Sequence, residues 1–231
     1  MAAVLYRLLP FRAPVQCRSC GAEPGSGWAA LRPRSYWQTL RRRLRGPARP
    51  PFSEPIQVGA PVLRAAAAAV SRDQLGGPEL RALVSALCAG LRAGPCVGLS
   101  APQLGLPLRV FAASLPPERC RRYPAPLRRA LRIEPFPLRV LVNPEMRVLD
   151  ARTVTAPEGC ASVRGFSACV PRHWAVHVTG VDENGDPVSW EATGWAARIV
   201  QHEMDHLDGV LYIDRMDSRT FANTAWSQLL D

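Results

Sequence analysis

Gln201-His202-Glu203-Met204-Asp205-His206 is the stretch on which the fold turns. Residues four apart on an α-helix stand one above the other, so both imidazoles can reach a single point. The neighbouring residues predict a helix from Gly194 to Gly209. Trp195, Ile199, His202 and His206 share one stripe, and Ala196, Val200, Glu203 and Leu207 lie beside it. Arg198, Gln201, Asp205 and Asp208 form the polar remainder, expected to face water. Both histidines and Glu203 therefore point inward. As plain core residues they would strand two imidazoles and a carboxylate without water, at a cost of several kcal/mol. A shared cation removes that difficulty, with neutral imidazoles as ligands and the carboxylate beside them.

Toward the N-terminus, Pro78 opens a second helix in which Leu80, Leu83, Val84, Leu87, Cys88 and Leu91 recur at helical spacing until Gly94-Pro95. Leu108–Ala112, Leu138–Val142 and Arg147–Leu149 are short β-prone runs. A hairpin follows, with Trp174, Val176, Val178 and Val181 leading into Asp182–Asp186 and residues 188–191 leading out. Residues 114–137, with six prolines and six arginines, read as an exposed insertion. Strands in runs, with one long helix before and one after, predict an α+β fold: antiparallel strands packed around a central helix that carries the two histidines.

Two imidazoles leave the third ligand open. The longer protease motif would place a histidine at position 212, where this chain has Tyr212. Asp214 and Asp217 are downstream candidates. Upstream, Cys160 stands in Glu158-Gly159-Cys160-Ala161-Ser162, and a thiolate is a strong ligand for iron, cobalt or zinc. A closed structural site would draw a fourth ligand from Cys169, His173 or His177.

The charge is uneven. All 29 basic residues are arginine, and the net charge is +10. Residues 1–53 hold ten arginines against the single acid Glu23, whereas residues 54–231 hold 19 against 18 acids. An arginine-rich, acid-poor leader with scattered apolar residues has the composition of a mitochondrial presequence, and the body behind it is close to neutral. Residues 1–51 are therefore read as presequence and linker, and 52–231 as the catalytic domain. Seven cysteines, an odd number without framework spacing, suit a reducing compartment; Cys17 and Cys20 form a lone C-x-x-C in the leader. No apolar stretch approaches the roughly 20 residues of a membrane-spanning helix.

Three motifs in order, Gly98-Leu99-Ser100-Ala101-Pro102-Gln103, Glu158–Ser162 and Gln201–His206, resemble those of the peptide deformylases. Gly59–Arg64 looks like the segment that opens their catalytic domain. The resemblance implies removal of the formyl group from N-formylmethionine on newly made polypeptides, here in the mitochondrial matrix. Carried over by position, it makes Cys160, His202 and His206 the ligands of one divalent ion, Fe2+ by resemblance, with Co2+ or Zn2+ as alternatives. Glu203 would be the general acid/base toward the attacking water. Gln103 and the Ala161 backbone N–H would donate to the formyl oxygen, Gly98 and Gly159 would hold the substrate main chain, and Trp195 would wall the methionine pocket. The implied partner is the formyl-Met nascent chain, met in transient proximity to the ribosome without specific nucleic-acid binding; a homodimer stays open. The chain departs from the family pattern at Cys96 and Ser100, which stand at a usual glycine and alanine, and at Ala161, where bacterial members usually carry leucine. The competing readings are a metallopeptidase with an acidic third ligand and a non-catalytic module with a structural metal.

Overall fold

The computed structural model describes residues 49–229. The presequence expected over most of residues 1–51, with Cys17 and Cys20, lies outside the described residues except for its last three positions. The predicted helices form as α1 (Pro78–Ala93) and α4 (Trp195–Leu207), with two short helices between them, α2 (Pro117–Cys120) and α3 (Ala125–Leu131). Six strands, β1 (Gly98–Ser100), β2 (Val110–Leu115), β3 (Phe136–Cys160), β4 (Val163–Val181), β5 (Pro187–Thr193) and β6 (Ala222–Asn223), make one antiparallel sheet. Its order is β1-β2-β3-β4-β5, with β6 added against β4.

Apolar side chains from β2–β5 (Phe111, Leu141, Val176, Val178, Trp190, Ala192) enclose Ile199, Val200, Met204 and Leu207 of α4. The Leu80–Leu91 stripe of α1 packs on Leu99, Leu104, Val110 and Val142, forming a second cluster. This is the expected α+β arrangement, with the motif helix at the centre of the strands. Among the described residues, no helix is long and apolar enough to cross a membrane.

Three expectations need correction or refinement. The short runs around 138–149 belong to a single 25-residue strand, β3, which turns at Ala161-Ser162 into the 19-residue β4. The predicted 174–191 hairpin forms as read, as the far end of β4 with β5. Residues 114–137 are largely exposed, as read, but they are not detached from the body: Leu115, Cys120 and Ile133 are buried in a small core with Val97, Tyr123, Leu131 and Trp195. Finally, α4 has no polar outer face beyond Asp208, because Arg198, Gln201 and Asp205 are buried beneath the β3–β4 hairpin. The Gln201 side chain bonds the backbone of His173 in both directions, at 2.9 Å each.

The lead-in Phe52–Val58 runs as a strap across the two motif-bearing turns. Phe52 N–H donates to Leu104 O, Ile56 N–H to Gln103 O and Val58 N–H to Ser162 O, at 2.9, 2.9 and 2.7 Å. Gln57 Nε2 reaches Ala161 O at 2.9 Å, and Gln57 Oε1 accepts from Arg164 N–H. Together these bonds hold the turn after Ser100 beside the tip of the β3–β4 hairpin.

Candidate metal centre

The long hairpin and the central helix meet at one point. Cys160 is the last residue of β3, and His202 and His206 rise from successive turns of α4. The ligand atoms of these three residues lie within 4.8 Å of one another. Cys160 Sγ is 3.2 Å from His206 Nε2, and the two rings stand edge to face with centroids 5.0 Å apart. Metal–sulfur and metal–nitrogen bonds of about 2.3 and 2.0 Å put tetrahedral neighbours about 3.3–3.6 Å apart, and the 3.2 Å between Cys160 Sγ and His206 Nε2 is near that range. Among the described residues this is the cluster with a metal-capable donor set. It includes neither Asp214 nor Asp217. Asp214 pairs with Arg64 and accepts from Leu211 N–H, and Asp217 pairs with Arg219. Cys169, His173 and His177 are also outside it, on β4.

The electrostatics already favour positive charge at this point. Burial opposes a thiolate at Cys160, but the charge and hydrogen bonds of His206 and His202 outweigh it and hold the thiol well below its ordinary pKa. Burial likewise opposes protonation of His202, and the Cys160 thiolate and Glu158 carboxylate overcome that and raise its pKa. A divalent ion would place positive charge between the same atoms, and one thiolate with two imidazoles is a donor set that fits it.

Glu158 is the residue the sequence placed in a motif without a role. Its carboxylate is buried and fully used: Arg172 binds both oxygens at 3.0 Å, Arg198 Nη1 binds Oε1 at 2.7 Å, and His202 Nδ1 meets Oε2 at 3.0 Å. The bond to Nδ1 leaves His202 Nε2 as the ligand nitrogen. Arg172 also reaches Asp205 at 2.6 Å, which in turn accepts from Arg215 at 2.8 Å. Buried on the helix face read as solvent-exposed, Arg198 and Asp205 thus belong to an ion network that orients a ligand. Burial raises the Glu158 pKa, but the His202 and Arg172 hydrogen bonds, reinforced by their charges, pull it far below the usual carboxylate range.

Glu203 is 3% exposed, and its Oε2 has no hydrogen-bond partner among the described residues. Burial pushes its carboxyl up, against the opposing charge of His202 and His206. Its other oxygen lies against Gly98, where a Cβ would come within 2.2 Å of Oε1. Only glycine admits that approach.

Gln103 enters from the turn after β1. Its Oε1 accepts from Ser100 N–H and Oγ at 2.9 and 3.0 Å, which turns Nε2 toward Cys160 Sγ at 3.5 Å and Ser162 Oγ at 3.3 Å. Ser100, a departure from the family pattern, thus fixes the amide. Gly159 pairs with Ser167 just before the hairpin tip, and Ala161 lies in the turn. Trp195, at the first turn of α4, packs edge to face on Tyr123 with centroids 5.7 Å apart, within the core of the 114–137 segment.

Residues 54–222 match the family model for polypeptide deformylase. The chain is 60% identical over 216 residues to the mitochondrial peptide deformylase of Homo sapiens, across 93% of this chain and 88% of that protein. It is 36% identical to peptide deformylase 1A, chloroplastic/mitochondrial, of Arabidopsis thaliana, across 94% and 87% respectively. Among solved structures, the actinonin-bound class I type b peptide deformylase of Acinetobacter baumannii superposes with a TM-score of 0.59 at 32% identity, covering 72% of this chain and 99% of that one. Likeness of sequence and of fold thus extend over the same body that carries the cysteine and both histidines, and the chain belongs to the peptide deformylase family.

Proposed function

We propose that this chain is the deformylase of the mitochondrial matrix, with its body, 52–231, preceded by a presequence, and with Cys160, His202 and His206 holding one Fe2+. The reaction is hydrolysis of the formyl amide of N-formylmethionine at the start of new polypeptides, and the family is metal-dependent. The observation that carries the reading is the buried Glu203 carboxylate, one oxygen unpartnered, beside three convergent ligand atoms. When bound, the ion supplies Lewis acidity that brings a water's pKa down toward 7. Glu203 would take a proton from the attacking water and return it to the departing amine, a task suited to a carboxyl whose pKa burial has raised.

As the formyl carbon turns tetrahedral its oxygen gains charge. Gln103 Nε2 and the Ala161 N–H donate to it, and a preset donor of this kind contributes about 3–4 kcal/mol. The backbones of Gly98 and Gly159 hold the substrate main chain, and Trp195 walls the methionine side chain's pocket. The enzyme meets the nascent chain as a transient neighbour of the ribosome. Sedimentation equilibrium distinguishes the monomer from a homodimer.

The deciding experiment is metal analysis of anaerobically purified protein paired with formate release from a formyl-Met peptide. About one iron per chain and rapid release are expected; iron-loaded protein that frees no formate would end the reading. Gly98→Ala is a second check. Its methyl displaces Glu203, so kcat/KM for the formyl peptide is expected to fall about 100-fold, with far-UV circular dichroism unchanged.

A further inference from the structure

Arg119 belongs to none of the three motifs. Its guanidinium is shared among three backbone carbonyls: Nη1 donates to Cys96 O at 2.5 Å, and Nη2 to Leu91 O at 2.7 Å and Gly94 O at 2.8 Å. Leu91 lies in the last turn of α1, where carbonyls lack helical partners and the helix dipole favours a cation. Gly94 and Cys96 lie in the connection from α1 to β1. Among the described residues Arg119 takes part in no ion pair, so its charge is committed to these carbonyls.

The anchor is firm at both ends. Cys120, next to Arg119, is buried with Leu115 and Ile133, and Val97 packs into the same core. The Val97 carbonyl accepts from Ser114 N–H at 2.9 Å. Gly98 comes next, paired with Ala113 and in direct contact with Glu203. A shift of the 94–97 connection is therefore transmitted within two residues to the backbone beside the reacting groups.

We infer that Arg119 is a positioning residue for the deformylase reaction: by bracing the carbonyls of Leu91, Gly94 and Cys96 it fixes the path of the chain into Gly98. The inference rests on the reading of Gly98 as a substrate contact. An arginine fork is needed because a lysine ammonium can donate to these carbonyls but cannot span all three in one plane.

The test compares the full chain with R119Q and R119K, using formate-release kinetics and hydrogen exchange. R119Q is expected to raise KM about tenfold with kcat changed less than threefold, since the Gly98 backbone holds the substrate main chain equally in ground and transition states, and loss of such uniform binding raises KM alone. Exchange in residues 94–99 is expected to quicken about tenfold while residues 195–207 keep the wild-type rate. R119K is expected to fall between the two, and it carries the test if R119Q does not fold. An arginine that merely stabilises the fold would reduce the number of active molecules, lowering apparent kcat with KM and local exchange unchanged; that result overturns the inference. Wild-type protein that releases no formate would remove the catalytic reading of Gly98, whereas the exchange comparison would still decide whether Arg119 braces the connection.

Discussion

Glu203→Gln is expected to lower formate release about 1000-fold while the protein keeps its full complement of metal. The side chains match in size, and the close contact with Gly98 holds either one in place, so geometry is preserved. What is lost is a group that can accept a proton and give it back, an ability worth about 100- to 10,000-fold in rate. Glu203 is not among the three convergent donor atoms, so metal content should not change. Initial rates on a formyl-Met peptide, with metal analysis of the same sample, check both halves. Undiminished release from fully loaded protein would remove Glu203 from the mechanism.

The largest stability effect is expected from Glu158→Gln. Arg172 and Arg198 are both buried against this carboxylate, with Asp205 the other acid within reach of Arg172. Neutralising Glu158 leaves buried guanidinium charge uncompensated, which costs about 3–5 kcal/mol. In a body of this size that lowers the thermal midpoint by roughly 10 °C. The same change frees His202 Nδ1, and loss of such a carboxylate partner typically weakens metal binding about 10- to 100-fold. Melting curves and competition with a chelator separate the two consequences. The pH dependence has a definite sign. Because the folded Glu158 pKa is depressed, its contribution is complete above the ordinary glutamate value of about 4.3 and is lost as pH falls toward the folded value. The variant should therefore lose less stability than wild type on acidification from pH 5 downward.

Both helices could be read from the sequence because their signals are local. The Leu80–Leu91 stripe and the His202/His206 spacing repeat within a few turns, and each helix forms where that period predicts. The hairpin around Asp182–Asp186 is local too: Asp182 Oδ1 accepts from Asn184 and Asp186 N–H and closes the turn. Residues 150–172 gave no such signal. They contain Pro157, Pro171 and Gly165, which weaken strand propensity, and the strands there exist through their pairing with each other. Over this stretch β3 has β4 on one side, while its pairing with β2 ends at Val142. A free edge tolerates a proline's missing N–H. The polar residues of α4 misled for a similar reason. Arg198 and Asp205 find their partners in Glu158 and Arg172, 33 to 40 residues away, and no local pattern records a pairing across that distance. The pairing of His202 with His206 is local and could be read from their spacing, whereas the residues alone left Cys160 level with Asp214 and Asp217; the structure brings the cysteine to the two imidazoles and leaves both aspartates outside.

The strap of Phe52–Val58 sets a limit on how far the chain can be trimmed from its N-terminal side. Its amides hold the carbonyls of Leu104, Gln103 and Ser162, and Gln57 holds that of Ala161, so this stretch braces the turns that carry Gln103 and Ala161. Any cleavage that spares these bonds must fall before Phe52. Trimming past Val58 would yield a chain that keeps all three metal ligands yet has lost the brace behind Gln103. The segment ahead of the sheet is in this way part of the scaffold of the site, and not a neutral connection to it.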